Sequence, residues 1–265
     1  MLRTVDATRY VTPLREGGSL PAVVEADDDG LYVLKFRGAG QGRKALVAEL
    51  LAGEIARALG LAVPEIVFAR LDPELARTEP DAEIQDLVRA SGGLNLALDY
   101  LPGAVTFDPL AERPDAQLAS AIVWFDAFVG NVDRSPRNTN LLMWHRRLWL
   151  IDHGAALTFH HAWGTDGGDP LDPQRSTRPF APIKDHVLLP FASALAEVDA
   201  PLAARLTAEV LAAIVAAVPD DWLDDEPAFA SRAAQRDAYL QYLVARLREP
   251  RAFALEADRA HSQHV

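Results

Sequence analysis

The chain contains no cysteine. Disulfides and thiolate metal sites are therefore both excluded. Lysine is nearly absent as well: three, at positions 35, 44 and 184, stand against 23 arginines. That scarcity makes each lysine worth inspecting. Only four asparagines occur, and three of them fall between positions 131 and 140. There is no excess of positive charge. The net charge is −12, which argues against broad attraction to nucleic acid or to an anionic membrane. It leaves room for a local basic pocket that holds phosphates. No apolar run reaches the roughly 18 residues of a membrane span. Met1-Leu2-Arg3-Thr4-Val5-Asp6 lacks the apolar core of a signal peptide, so a cytoplasmic location is expected. Internal repeats and low-complexity segments are absent too. What remains is 265 residues, 49% of them hydrophobic, enough for one large domain or two lobes around a sizeable core.

The most informative stretch runs from Gly130 to Gly154. Asp133 sits in a loop and Asn138 follows five residues later. Leu141 to Trp144 and Leu148 to Ile151 are short apolar runs, separated by His145-Arg146-Arg147. That pattern predicts a hairpin. An antiparallel hairpin brings its open ends together, here Asn138 on one side and Asp152 on the other. Mg²⁺ takes hard oxygen ligands, one or two from the protein and the rest from phosphate and water. An amide and a carboxylate suit it. Asp133 is then free to orient or accept the proton of an attacking hydroxyl. Acid, amide and second acid in this order match the layout of kinase-like phosphotransferases. Singly, each residue reads as an ordinary turn former or strand end.

Upstream, residues 1 to 37 read as strands and turns: Tyr10 to Leu14, Leu20 to Ala26, and Leu31 to Phe36 after the Asp27-Asp28-Asp29-Gly30 turn. Leu31, Val33 and Lys35 share one face of the last strand. A lysine among apolar neighbours needs a partner or a ligand, unless the strand is an edge and the amine snorkels into water. Two glycine-bearing loops compete as a phosphate cover. One is Arg37 to Lys44. The other is the Glu16-Gly17-Gly18-Ser19 turn, which precedes the Lys35 strand. Neither is a Walker loop. Ala45 to Leu59 reads as a helix stopped by Gly60. It carries Glu49 and Glu54, either of which could pair with Lys35.

Further on, a strand is expected over 63–71, an exposed helix broken by Pro80 over 73–90, and a strand over 94–101. Two lobes would hinge at this last strand. Backbone groups from Asp99 to Leu101 are placed to meet an adenine edge. Asp115 starts a helix that runs to about Val129. Residues 163–190 show no period and are expected to face a substrate. His160-His161 reads as structural. Helices are expected over about 191–198, 201–217 and 229–248, followed by a fraying tail from about Leu255.

Taken together, Tyr32-Val33-Leu34-Lys35-Phe36, Glu49, Gly60-Leu61-Ala62-Val63-Pro64, Asn131-Val132-Asp133-Arg134 with Asn138, and Leu150-Ile151-Asp152-His153-Gly154 resemble the HipA-like kinases, within the protein-kinase and phosphatidylinositol-kinase fold. The resemblance runs from about residue 10 to 160. It implies an α/β (α+β), two-lobed fold, with a sheet-rich N-lobe over 1–101 and a helical C-lobe over 102–265. It implies ATP and Mg²⁺ as cofactors. Lys35 would hold the ATP phosphates and Glu49 would hold Lys35. Gly17, Gly18 and Ser19 would cover the nucleotide, with Asp99 and Leu101 at its base. Asp133 would be the catalytic acid-base residue, and Asn138 and Asp152 would bind the metal. Three departures stand out. Ser135-Pro136 replaces the histidine common after the Asp-Arg pair, no ordinary G-x-G-x-x-G loop is present, and the Lys35 strand comes so early that the amino-terminal subdomain of toxin-type members is expected to be missing.

The expected activity is transfer of the γ-phosphoryl group of ATP to a hydroxyl, with protein Ser or Thr as the expected acceptor. The alternatives are a small-molecule or lipid kinase, a nucleotide-binding pseudokinase scaffold and a metal-dependent hydrolase. Neither the acceptor nor the oligomeric state is legible in the sequence.

Overall fold

The computed structural model describes residues 2–14, 20–40, 42–163, 169, 172–223 and 226–263. Its amino-terminal part is a closed barrel of five strands: β1 (Thr4–Pro13), β2 (Ala22–Ala26), β3 (Leu31–Lys35), β4 (Ile66–Leu71) and β5 (Gly93–Asp99), in spatial order β1-β2-β3-β5-β4. Closure comes from β1, which pairs parallel to β4 with Thr4 opposite Phe68 and Val5 opposite Ala69. The other pairs are antiparallel. Register shifts along β1, between Ala7 and Arg9 and between Tyr10 and Thr12, add the twist that closure requires. The sequence pattern predicts β1 only from Tyr10. It begins six residues earlier, with Val5 and Ala7 buried between exposed neighbours.

In β3 the alternation decides the site. Tyr32 and Leu34 are buried in the barrel, while Leu31, Val33 and Lys35 point the other way. Val33 and Lys35 thereby form part of a cleft wall. The expected shared face is real, but it belongs to the cleft and not to the barrel core.

Helix α1 (Arg43–Ala58) is buried without interruption from Leu46 to Gly53. The segment expected to be a broken helix is two elements: a 3-10 turn at Pro73–Thr78 and α2 (Ala82–Ala90), each started by an Asp side chain, Asp72 and Asp81, accepting a backbone N–H. Helix α3 (Ala116–Val129) starts where Asp115 caps the N–H groups of Gln117 and Leu118. It ends at Gly130, whose φ of +65° suits a residue without a Cβ.

A second sheet holds β6 (Val105–Thr106), β7 (Leu141–Trp144) and β8 (Arg147–Leu150). The hairpin turn is His145-Arg146 alone, both at positive φ, +48° and +60°. Arg147 pairs with Trp144 as the first strand residue, which shortens the three-residue connection expected from polarity. Two residues of this conformation match the twist of the flanking strands.

The remainder is helical: α4 (Pro173–Ser176), α5 (Leu195–Arg205), α6 (Ala208–Ala216), α7 (Arg232–Arg246) and α8 (Ala252–Ser262). The expected break near residue 200 falls instead at Thr207, which caps Val210, and Pro201 lies inside α5. Part of the segment expected to face a substrate is core. Ile183, Val187, Leu188 and Leu189 are buried, in and beside 3-10 turns at Ala181–Asp185 and Leu189–Phe191. The expected fraying tail is α8. Phe253, Ala254, Ala257 and Ala260 are buried, and the Phe253 ring meets Trp124 of α3 at 5.1 Å. Among the described residues no helix is long and apolar enough to cross a membrane. Sheet-rich amino-terminal and helical carboxyl-terminal parts together make a mixed α/β fold.

Candidate active site

A cleft of about 1020 Å³ lies where the barrel meets the second sheet, and Lys35, Asp99, Leu101, Asn138 and Asp152 are among its walls. The hairpin geometry carries two of these. Leu141 pairs with Leu150, so the residues beyond each strand end face one another. Ile151 N–H donates to Asn140 O at 3.1 Å, which extends the pairing by one step. Asn140 and Asp152 then both take the left-handed conformation, at φ +47° and +55°. Non-glycine residues adopt it at a cost of roughly 1–2 kcal/mol, least for Asn and Asp, and such outliers concentrate at functional sites.

Asp152 reaches Lys35: Oδ1 lies 2.7 Å from Nζ. Glu49 Oε2 lies 3.9 Å from the same ammonium and is almost wholly buried. Glu54, the rival on the same helix, pairs with Arg57 instead. Burial works against the charge on Lys35, but Glu49, Asp152 and Asp133 outweigh it and the pKa is raised. Burial likewise pushes Glu49 up, yet Lys35 and His153 together hold its carboxyl below the usual range. Glu49 also accepts the backbone N–H of His153 at 2.8 Å, with His153 Nδ1 at 3.4 Å. The residue after Asp152 is thereby fastened to α1.

The other arm is the 131–140 loop. Ser135 and Asn138 exchange backbone hydrogen bonds of 2.9 and 3.1 Å around Pro136-Arg137. Pro136, standing after the unusual Ser135, fits the tight turn that this bridge closes. Asn138 Nδ2 donates to Asp133 Oδ2 at 2.9 Å. That orientation leaves the amide Oδ1 for another partner. Asn140 Nδ2 donates to Asp133 O at 2.9 Å. Asp133, Asn138, Asp152, Lys35 and Glu49 therefore form one connected constellation.

Other expected residues resolve differently. Gly17, Gly18 and Ser19 lie outside the described residues. The residues flanking them, Leu14 and Pro21, line the cleft and are joined by a 2.7 Å backbone hydrogen bond. The competing loop is tied to the far end of β5: Arg37 N–H donates to Asn95 Oδ1 at 2.8 Å and Gly38 N–H to Ser91 Oγ at 3.1 Å. None of its described residues lines the cleft. At the hinge, the N–H groups of Asp99 and Tyr100 are used by Glu65 O and Leu31 O. Burial, then Glu65, raise the Asp99 carboxyl above its usual value. His160 is buried with Nδ1 3.0 Å from the Tyr239 hydroxyl, in keeping with a structural part. Among the described residues no group of three or more His, Cys, Asp or Glu could hold a metal on its own.

Sequence reasoning missed a buried layer beneath the loop. Asp126 of α3 is fully buried and accepts from Asn131 Nδ2 at 2.8 Å, Arg134 Nε at 2.6 Å and His186 Nε2 at 2.9 Å. The abundance of Asn in the loop was its only signal, because His186 arrives from sixty positions away.

A model of the HipA-like kinase family matches residues 8–253. No curated protein matches. Among solved structures, the Helicobacter pylori proinflammatory kinase CtkA superposes with a TM-score of 0.54 at 12% identity, covering 95% of this chain and 94% of that one. The Golgi casein kinase with Mn/ADP bound gives 0.47 at 12%, covering 94% and 75%. At such identities the structural likeness speaks for the fold alone, whereas the family model spans nearly the whole sequence. The chain belongs to the HipA-like kinase family.

Proposed function

We propose that the cleft binds ATP with Mg²⁺ and transfers the γ-phosphoryl group to a hydroxyl, with protein Ser or Thr as acceptor. One observation carries the reading: Lys35, Asp152 and Asn138 wall the same cleft, and Asp133 is hydrogen-bonded to Asn138. The donor set fits the metal. Asp152 offers a carboxylate and Asn138 a free amide oxygen, a hard, oxygen-only pair with places left for phosphate and water. Held by Asp152 and Asn138, Mg²⁺ would supply positive charge to offset that of the phosphates. Lys35 would hold the phosphates, kept charged and in place by Glu49. Asp133, its carboxylate aimed by Asn138 and Asn140, would orient the acceptor hydroxyl and take its proton. At the hinge, Leu101 would offer its N–H to the adenine edge, since those of Asp99 and Tyr100 are committed, and Asp99 its carbonyl. On this reading residues 1–101 form the nucleotide lobe and 102–265 the catalytic lobe. Positioning and charge neutralisation supply most of the rate in such sites.

The test is incubation with labelled ATP and a cell lysate, followed by identification of what becomes labelled, with Asp133→Asn as control. The expected result is Mg²⁺-dependent labelling of Ser or Thr that falls by about 10²- to 10⁴-fold in the variant. Equal labelling by both proteins would remove Asp133 from the reaction. Tight ATP binding with no transfer to any acceptor would leave a nucleotide-binding scaffold instead.

A further inference from the structure

Asp126 occupies an unfavourable place. It lies in the last turn of α3, where the helix dipole repels negative charge, and its side chain has no access to water. A carboxylate persists there only with a full set of donors, and four groups supply it. Arg134 gives Nε at 2.6 Å to Oδ2 and a terminal nitrogen at 3.4 Å to Oδ1. Asn131 Nδ2 gives 2.8 Å to Oδ1. His186 lies 2.9 Å from Oδ2 through Nε2. The histidine tautomer follows from its other side. Leu188 N–H donates to Nδ1 at 3.0 Å, so the proton sits on Nε2 and points at Asp126.

Two arms lead from this carboxylate to the site. Asn131, held through its Nδ2, uses Oδ1 to accept the backbone N–H of Asp133 at 3.1 Å. Arg134, held through Nε, donates to Asn140 O and, at 3.4 Å, to Ile151 O. Asn140 O also accepts Ile151 N–H. The first arm fixes the residue proposed as base. The second grips the residue immediately before the proposed metal ligand Asp152. Val187 N–H donates to Arg134 O at 3.0 Å, so the 186–188 segment closes the assembly from outside.

We infer that Asp126 is a positioning residue, with His186 as its lock, that sets the separation of Asp133 from Asp152 for phosphoryl transfer. The inference rests on the function proposed above. It assigns a task to a histidine in the segment between α4 and α5, far in sequence from the catalytic loop. Neither group touches the cleft, so each acts through Asn131 and Arg134 alone.

The test uses the full chain with three substitutions: Asp126→Asn, His186→Ala and His186→Gln. Asp126→Asn leaves Arg134 buried without its counter-charge; where circular dichroism shows it folded, it is expected to lose at least as much kcat as His186→Ala, and wild-type kcat in it would overturn the inference, while His186→Ala, which keeps that ion pair, decides the case if Asp126→Asn does not fold. For His186→Ala, kcat is expected to fall by about 10- to 100-fold while the KM for ATP stays within about threefold. His186→Gln, which retains a donor near the same place, is expected to recover most of the loss. A parallel readout needs no turnover. Hydrogen exchange in His186→Ala is expected to speed by about tenfold both at 131–134 and at 151–153, the two ends of the clamp. Acceleration at neither segment, or at 131–134 alone, would overturn the inference whatever the assay gives. So would unchanged kcat in a His186→Ala protein whose two segments both loosen. Should both segments loosen together while wild type and Asp133→Asn label substrates equally, the clamp stands and the assignment of Asp133 falls.

Discussion

Lys35 pairs with Asp152 more closely than with Glu49, at 2.7 Å against 3.9 Å. The two carboxylates are not equivalent partners. Asp152 is about one-third exposed and Glu49 nearly closed off. Removing the first leaves a buried ion pair intact; removing the second does not.

Asp152→Asn is therefore expected to fold normally. Asparagine tolerates the left-handed backbone at this position, and Lys35 keeps Glu49. Unfolding free energy should move by less than about 1 kcal/mol, while Mg²⁺-dependent turnover falls by about 10³-fold. Urea melts and an ATP-transfer assay on the same preparation check both halves. Wild-type turnover in the variant would take Asp152 out of the metal role.

Glu49→Ala should behave in the opposite way. It strips Lys35 of one counter-charge and leaves the buried His153 N–H without its acceptor. A loss of about 3–5 kcal/mol is expected. Glu54→Ala, five positions along the same helix on a more exposed face, should stay within about 0.5 kcal/mol. Similar urea midpoints for the two variants would contradict the assignment of Glu49 as the lysine's partner.

Acid should weaken the fold through its buried histidines. Burial is the largest influence on both His186 and His160 and lowers both pKa values; Asp126 partly offsets it at His186, while His161 and Lys44 add to it at His160. In the unfolded chain each titrates near 6.5. Below that pH the unfolded state binds more protons than the native one, so the stabilising contribution is complete above about 6.5 and declines as pH falls. The slope is about 1.4 kcal/mol per pH unit for each histidine until its native pKa is reached. Urea unfolding at pH 7.5, 6.5 and 5.5 measures it. The slope should fall by up to about 1.4 kcal/mol per pH unit in His186→Gln; an unchanged slope would place the proton uptake elsewhere.

Arg246 offers a stability test away from the cleft. It is buried in α7 and donates to Ala127 O, Phe128 O, Ser176 O and Arg178 O at 2.7 to 3.1 Å. Two of those carbonyls end α3, just before the Gly130 turn into the 131–140 loop. Arg246→Met fills much of the space and supplies no donor. A loss of about 3 kcal/mol or more in unfolding free energy is expected. A melting temperature equal to wild type would show that water replaces the guanidinium without penalty.

The hairpin and its two polar ends were legible because everything about them is local. Two apolar runs, a polar gap and flanking Asn138 and Asp152 suffice to place an amide beside an acid. Spacing alone left Glu49 and Glu54 open and only the family resemblance singled out Glu49, since what separates them is the rotation of α1 against Lys35. The first half of β1 was hidden because its pairing is with β4, some sixty residues on, and leaves just Val5 and Ala7 as a signal. The last helix was read as tail because its buried stripe is mostly alanine, which carries little hydrophobic contrast. His186 was beyond reach for a different reason. It lies in an irregular segment with no period, and its meaning comes wholly from a carboxylate sixty positions earlier.

Helix α1 has a consequence for how such an enzyme can be governed. In protein kinases the matching helix is a moving part, and its swing makes or breaks the lysine–glutamate contact. Here Leu46 through Gly53 are sealed on every side. Beyond the helix ends, Arg205 reaches Leu59 O, and Lys44 grips both His160 O and Glu226. An outward swing would drag a continuous apolar band into water and tear those ties. The contacts that seat α1 in this fold thus oppose the swing seen in protein kinases.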